Sequence, residues 1–243
     1  MMLLNDYVVI DLEMTGLNAK IDKILELGAV KVRDGKPVEF FSKIVNPRVT
    51  LSEKVTELTG ITQQMADDGA DLDETVSDFL EFLGEDLLVG QNIIFDYGFL
   101  KQWAVNHKIP LEKNAVDTLK LARKFLPAEQ KKDLESLCTY FEIQRQNAHR
   151  ALDDAVETAE IFEKLKDFYY EKEPDAFLPK ALQYKAKKQS PATLPQKRYL
   201  KQFTAYHGID MPQDVESMSK SEMSRLTDKL IAQYGKIPKQ PEA

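Results

Sequence analysis

Cysteine is almost missing from this 243-residue chain: Cys138 stands alone. An internal disulfide is therefore excluded, as suits a reducing compartment. Long apolar runs are missing too, since no stretch approaches the ~18 residues that a membrane-spanning helix needs. The opening Met1-Met2-Leu3-Leu4 runs straight into Asn5-Asp6 without a basic leader, so it does not read as a signal peptide. These absences predict a cytoplasmic protein with no membrane partner. No internal repeat is visible. Acidic residues are missing from one segment in particular: Leu178 to Gly208 holds seven Lys or Arg and no Asp or Glu. Residues 1–177, by contrast, carry 21 basic against 34 acidic side chains, and the whole chain has a formal charge of −7. Such asymmetry marks a contact with a polyanion, although a solvated Lys-rich linker explains it equally well.

What is present is an ordinary globular composition, 43 % hydrophobic and 30 % charged, long enough for one full domain and a small appendage. Tyr7 to Leu12 is a β-branched, apolar run of strand length. Ile24 to Val32 partly alternates apolar and polar residues and leads through Arg33-Asp34-Gly35-Lys36 into Val38 to Val45. The Asp-Gly pair between extended segments predicts a hairpin, so the N-terminal region reads as an antiparallel three-strand meander. The period then changes. Leu72, Val76, Phe79, Leu80 and Leu83 lie on one helical stripe. Leu87 to Gly90 is a short buried strand, Phe95 to Val105 a helix, and Asp117 the cap of another helix that stops before Pro127. Leu134 to Phe141 and Ala151 to Phe168 complete the helical set. Antiparallel strands followed by alternating helices and strands predict an α/β fold, a mixed sheet flanked by helices.

Lys172 to Leu194 has three prolines and no clear period, which predicts a basic linker over 172–194. Beyond it, Pro195 opens a helix that stops near Gly208. A capping box at Ser219-Lys220-Ser221-Glu222 opens a second helix, whose apolar stripe is Met223, Leu226, Leu230 and Ile231. The expected organisation is a domain over 1–171, the linker, and a small helical module over 195–243. Tyr199, Phe203 and Tyr206 interleave with Lys and Arg in the first helix of that module. They suit either its core or a stacking surface for a single strand.

Chemistry concentrates in three places. Asp11 and Glu13 are two apart on a strand and so project from the same face. Two such charges ~4 Å apart repel by about 4 kcal/mol at an effective dielectric of ~20, a cost that a cation between them removes. A turn cap beside a solvated acid is the plainer explanation. Asp96 follows Gly90-Gln91-Asn92-Ile93-Ile94-Phe95 at a helix start, where capping alone can account for it. His149 precedes the long helix and is free to reach back over the acids. Asp154 faces inward on that helix and Asp153 outward, though both also complement a helix dipole.

The combination is more specific than any part. Asp11-Leu12-Glu13-Met14-Thr15-Gly16-Leu17, Asn92 through Asp96, and His149-x-Ala151-x-x-Asp154 resemble, in order, the three motifs of the DEDDh exonuclease superfamily. Leu58-Thr59-Gly60-Ile61-Thr62, Val116-Asp117-Thr118-Leu119 and Phe95 to Leu100 are similar to proofreading members of bacterial DNA polymerases. The resemblance covers Asp6 to about Phe168. It implies a ribonuclease-H-like sheet and 3′→5′ hydrolysis of DNA in proofreading or repair, with release of nucleoside 5′-monophosphates. It also implies two divalent cations, Mg²⁺ or Mn²⁺, on Asp11, Glu13, Asp96 and Asp154, and His149 as general base. Thr15, Gly16, Leu17, Asn92 and Phe95 are implied to line the terminal-nucleotide site. The implied partners are nucleic-acid 3′ ends, single-stranded DNA above all, and a polymerase or repair protein.

Three rival readings remain. Met14 stands where polymerase-type members usually carry threonine, a variant that resembles oligoribonucleases and makes an exoribonuclease of the oligoribonuclease or ribonuclease T type the first alternative. A haloacid-dehalogenase-type phosphatase begins with Asp-x-Asp, which Glu13 and the His149–Asp154 pair contradict. A non-catalytic nucleic-acid-binding scaffold would not need all five chemical positions.

Overall fold

The computed structural model describes residues 4–145, 149–212, 215–216 and 218–238. Met1, Met2 and Leu3 of the opening segment lie outside them. Two compact units are present, residues 1–186 and 187–243.

In the first unit, strands β1 (Tyr7–Met14), β2 (Ile24–Arg33) and β3 (Lys36–Ile44) form the expected meander. Asp34 and Gly35 make its two-residue turn, both with positive φ (49° and 71°). That is the backbone of the primed hairpin turns that Asp-Gly favours. Strands β4 (Leu88–Gly90) and β5 (Asn114–Asp117) add in parallel, and β6 (Lys180–Ala181) closes the far edge antiparallel to β5. The resulting order is β3-β2-β1-β4-β5-β6. Short helices α1 (Glu53–Thr59) and α2 (Gln63–Asp67), which carry too few residues to show a period, follow β3. Then come α3 (Leu72–Leu83), α4 (Ile94–His107), α5 (Thr118–Phe125), α6 (Leu134–Tyr140) and α7 (Ala151–Tyr169).

Strand alternation splits the apolar residues between two cores. Val8, Ile10 and Leu12 of β1 pack with Val76 and Phe79 of α3 and Tyr97, Leu100 and Trp103 of α4. Tyr7 and Val9 face the other way, toward Ala155, Phe162 and Leu165 of α7. A mixed sheet with helices on both faces is what the sequence pattern predicts.

The predicted linker needs correction. Pro174–Phe177 forms a 3-10 turn whose Phe177 is buried in the α7-side core. After β6, Leu182 and Tyr184 pack on the α4-side core. The first unit thus runs to Ala186. Apolar side chains spaced among prolines have no period, so the pattern hid their burial.

In the second unit, Thr193 and Ser219 each make a capping box, opening α8 (Leu194–His207) and α9 (Lys220–Tyr234). Leu200, Val215 and Met223 form the centre of its small core, flanked by Leu226 and Leu230, and Phe203 is fully buried. Phe203 is therefore core, whereas Tyr206 is 58 % exposed.

Candidate active site

β1 and β2 set the floor of the site. Their register places Asp11 opposite Gly28 and Glu13 opposite Glu26, with an irregularity between Glu13 and Met14 where the strand ends. Asp11 and Glu13 share the face that α7 covers. Gly28 is what allows α7 so close: a Cβ there would lie 2.1 Å from the carbonyl carbon of Ala151 and 2.3 Å from Leu152 N. The first turn of α7 rests directly on the β2 backbone, which delivers Asp154 over β1.

Glu26 fixes that turn. It is 1 % exposed, receives Arg150 Nη2 on Oε1 at 2.8 Å, and accepts the Ala151 N–H on Oε2 at 3.1 Å. Arg150 occupies the N-cap position without a capping side chain of its own, so Glu26 does from the neighbouring strand what a cap does locally. It also keeps a counter-charge beside Glu13, its cross-strand neighbour.

Asp96 arrives from the other layer. β4 pairs with Val8 and Val9 of β1; further along, Leu12 N–H donates to Asp96 Oδ1 at 3.0 Å. The acid in the first turn of α4 is thereby tied to the backbone between Asp11 and Glu13. It is not a cap of its own helix, whose N-cap position is Ile93.

The carboxylates are close enough to raise one another's pKa. Burial, then the charges of Asp96, Asp154, Glu13 and Glu26, hold Asp11 well above the usual carboxylate range. Burial and then Asp154 push Glu13 up to about 8, with Arg150 pulling the other way. Burial lifts Asp96 to about 7 against the lowering bond from Leu12. Asp154 is raised by burial in spite of Arg145. Ligand atoms of Glu13, His149 and Asp154 all lie within 4.8 Å of one another, with His149 exposed and the two acids buried. An oxygen-rich, mutually repelling set of this kind fits a hard divalent cation.

The residues expected around the terminal nucleotide are placed as follows. Leu17 is 75 % and Phe95 41 % exposed, and both line one small apolar cavity. Thr15 is occupied locally: its Oγ1 accepts the Lys23 N–H at 2.9 Å. Gly16 lies so near Asp22 that a Cβ would meet its carboxylate at 2.6 Å. Asn92 has φ +58° and gives its N–H to Asp117 Oδ1 at 3.1 Å.

Sequence reasoning missed Glu26, Gly28, Arg145, Arg150 and Glu157. Arg145 Nη2 meets Asp154 Oδ1 at 2.6 Å and its Nε meets buried Glu157 at 2.7 Å. A mid-strand glycine and a lone acid in an apolar strand are signals of close approach and of a buried partner. Nothing local marks Arg145, whose partners lie on the following helix.

Residues 8–162 match the RNase T exonuclease family. The chain belongs to that exonuclease family. Its sequence is 42 % identical over 167 residues to DNA polymerase III PolC-type of Clostridium perfringens and 44 % identical over 167 residues to that of Bacillus subtilis. The match covers 67 % and 66 % of this chain but 12 % and 11 % of those polymerases. Exonuclease X in complex with 5′ overhanging duplex DNA is similar in structure, with TM-score 0.54 and 26 % identity over 67 % of this chain and 92 % of that one. The nuclease domain of 3′hExo, a DEDDh family member, bound to rAMP, shares the fold with TM-score 0.59 and 21 % identity, over 72 % of this chain and 96 % of that one. Membership of the RNase T exonuclease family agrees with a group, Glu13, His149 and Asp154, that could hold a metal ion. The phosphatase reading falls with that membership. Among the described residues no helix is long and apolar enough to cross a membrane.

Proposed function

We propose that this exonuclease removes nucleotides one at a time from the 3′ end of single-stranded DNA, leaving nucleoside 5′-monophosphates. The observation that carries the reading is the convergence of Glu13, His149 and Asp154 within 4.8 Å, beside Asp96 on the Leu12 amide. Asp11, Glu13, Asp96 and Asp154 would hold two divalent cations, Mg²⁺ or Mn²⁺. Such ions supply activation of the attacking water and charge stabilisation at the leaving oxygen.

The chain's own residues do the rest. His149, exposed at the mouth, takes the proton that the attacking water loses as its oxygen bonds to phosphorus and the P–O3′ bond breaks. Glu26 and Arg150 hold the α7 turn so that Asp154 does not drift from Glu13. Leu17 and Phe95 bracket the terminal nucleotide, with Thr15, Gly16 and Asn92 shaping the surrounding loop backbone. Similarity to the PolC-type polymerases supports DNA and a polymerase or repair partner. Met14 supports the second reading, an exoribonuclease.

Matched DNA and RNA oligonucleotides with Mg²⁺ or Mn²⁺ test the proposal, reading polarity and product. Faster loss of DNA from the 3′ end as 5′-monophosphates, stopped by EDTA, is expected; preferential loss of RNA establishes the alternative. Asp154→Ala should abolish turnover, and full activity would refute the metal assignment. His149→Ala should slow it by roughly 10²–10⁴, the usual worth of a general base.

A further inference from the structure

Beyond the acids, the first unit has a small apolar cavity of about 170 Å³ lined by Leu17, Ala19, Ile94, Phe95, Phe99 and Tyr184. It begins one residue from Asp96, because Phe95 is its neighbour in α4. Five of the six lining residues come from the loop that follows β1 and from the start of α4. The sixth does not: Tyr184 lies outside residues 8–162, the segment that matches the family. It is carried there by the strap that the sequence pattern assigned to a linker. β6 pins the strap at Lys180 and Ala181 against β5, and Leu182 N–H donates to Lys113 O at 2.9 Å. The Tyr184 ring then lies flush on α4, where a Cβ at Gly98 would come within 2.8 Å of it.

The cavity is smaller than the ~300–1,000 Å³ that encloses a whole small molecule, so it takes one ring of a larger ligand. Its walls are apolar and aromatic, without a charged or amide side chain, which suits a base's π-face and not the reading of its edge. Lys180 and Lys185, on either side of Tyr184 in the strap, are exposed and carry the charge that a phosphodiester backbone requires.

We infer that Tyr184 is a substrate-binding residue that stacks on a nucleobase within the last two nucleotides of the substrate, regardless of base identity. The inference rests on the exonuclease reading and adds a contact from outside the family's own segment. Stacking on an aromatic side chain corresponds to roughly 5- to 150-fold in affinity per base.

The test uses the full chain and oligonucleotides with 2-aminopurine at the terminal or penultimate position. Ca²⁺, whose coordination is looser than that of Mg²⁺, holds hydrolysis back during binding. Wild type and Tyr184→Phe should quench one of the two probes, because the ring is kept. Tyr184→Leu, which keeps apolar bulk but no ring, should lose that quenching and raise KM by about tenfold or more in Mg²⁺ at little change in kcat. Ala19→Leu, which fills the cavity and leaves Tyr184 in place, should raise KM in the same way and guards against misfolding of the Tyr184 variant. Should both variants match wild type in KM and quenching, the inference is overturned while the exonuclease reading stands. If wild type releases no mononucleotides, the exonuclease reading itself fails.

Discussion

Gly28→Ala asks whether the α7 contact sets the geometry of the acids. The new methyl would sit 2.1 Å from the Ala151 carbonyl carbon and 2.3 Å from two further α7 backbone atoms, where ordinary contact begins near 3.4 Å. Backbone on both sides cannot rotate away as a side chain can, so the start of α7 must move by more than 1 Å from β2. That displaces Asp154 from Glu13 and stretches the Glu26 bonds to Arg150 and Ala151. Overpacking of this kind costs about 1–3 kcal/mol, and a misplacement of ~1 Å near reacting groups can cost about 10²-fold in rate. Single-turnover digestion of a labelled oligonucleotide should therefore slow by about 10²-fold in a protein that still unfolds cooperatively, with its midpoint lowered. Gly60→Ala is the control: its φ is +68° but nothing lies within 4 Å of the added methyl, so it should cost about 1–2 kcal/mol of backbone strain and leave the rate unaltered. A Gly28→Ala protein with wild-type rate and midpoint would refute the proposed support of Asp154 by β2.

Three further outcomes are expected. Without divalent metal, Glu13 and Asp96 titrate near 8 and 7 when folded but near 4 when unfolded. The native state then binds more protons between those limits, so stability is greatest at low pH and falls as pH rises from about 4 to 8. Mg²⁺ should flatten that slope in thermal melts, and a metal-free midpoint that climbs with pH would contradict the clustering. Arg145→Ala leaves buried Glu157 unpaired beside Asp154, which should cost about 3–5 kcal/mol in urea unfolding; a loss below 1 kcal/mol would mean that Arg145 is a solvated surface group. Replacing Arg198 and Lys201 by Gln tests the basic second unit, where Phe203 belongs to the core and Tyr206 does not. If these residues touch single strands, the slope of log affinity on log salt should shrink by about 0.7 per lost phosphate contact, whereas an unaltered slope assigns them another task.

Much of this was legible in one dimension because the relevant physics is local. A period of two over Tyr7–Met14 and a period of 3.6 over Leu72–Leu83 follow from side-chain direction alone, and Asp34-Gly35 follows from which residues tolerate positive φ. The capping boxes at Thr193 and Ser219 share one local spacing, Ser or Thr followed three residues on by Gln or Glu; from sequence only the second is read as a helix start, and the first helix is opened at Pro195 instead. Asp11 and Glu13 had to share a face once β1 was a strand. The contacts that align the site are of another kind. Glu26 meets Arg150 across 124 residues, Gly28 meets Ala151, and Tyr184 returns to Gly98 after an irregular, proline-containing stretch. No periodicity encodes such meetings, because they depend on which surfaces the fold presses together. Residue type and short-range order determined the elements and the acids they carry; only three-dimensional closure decided how near those acids stand and which distant side chains hold them there.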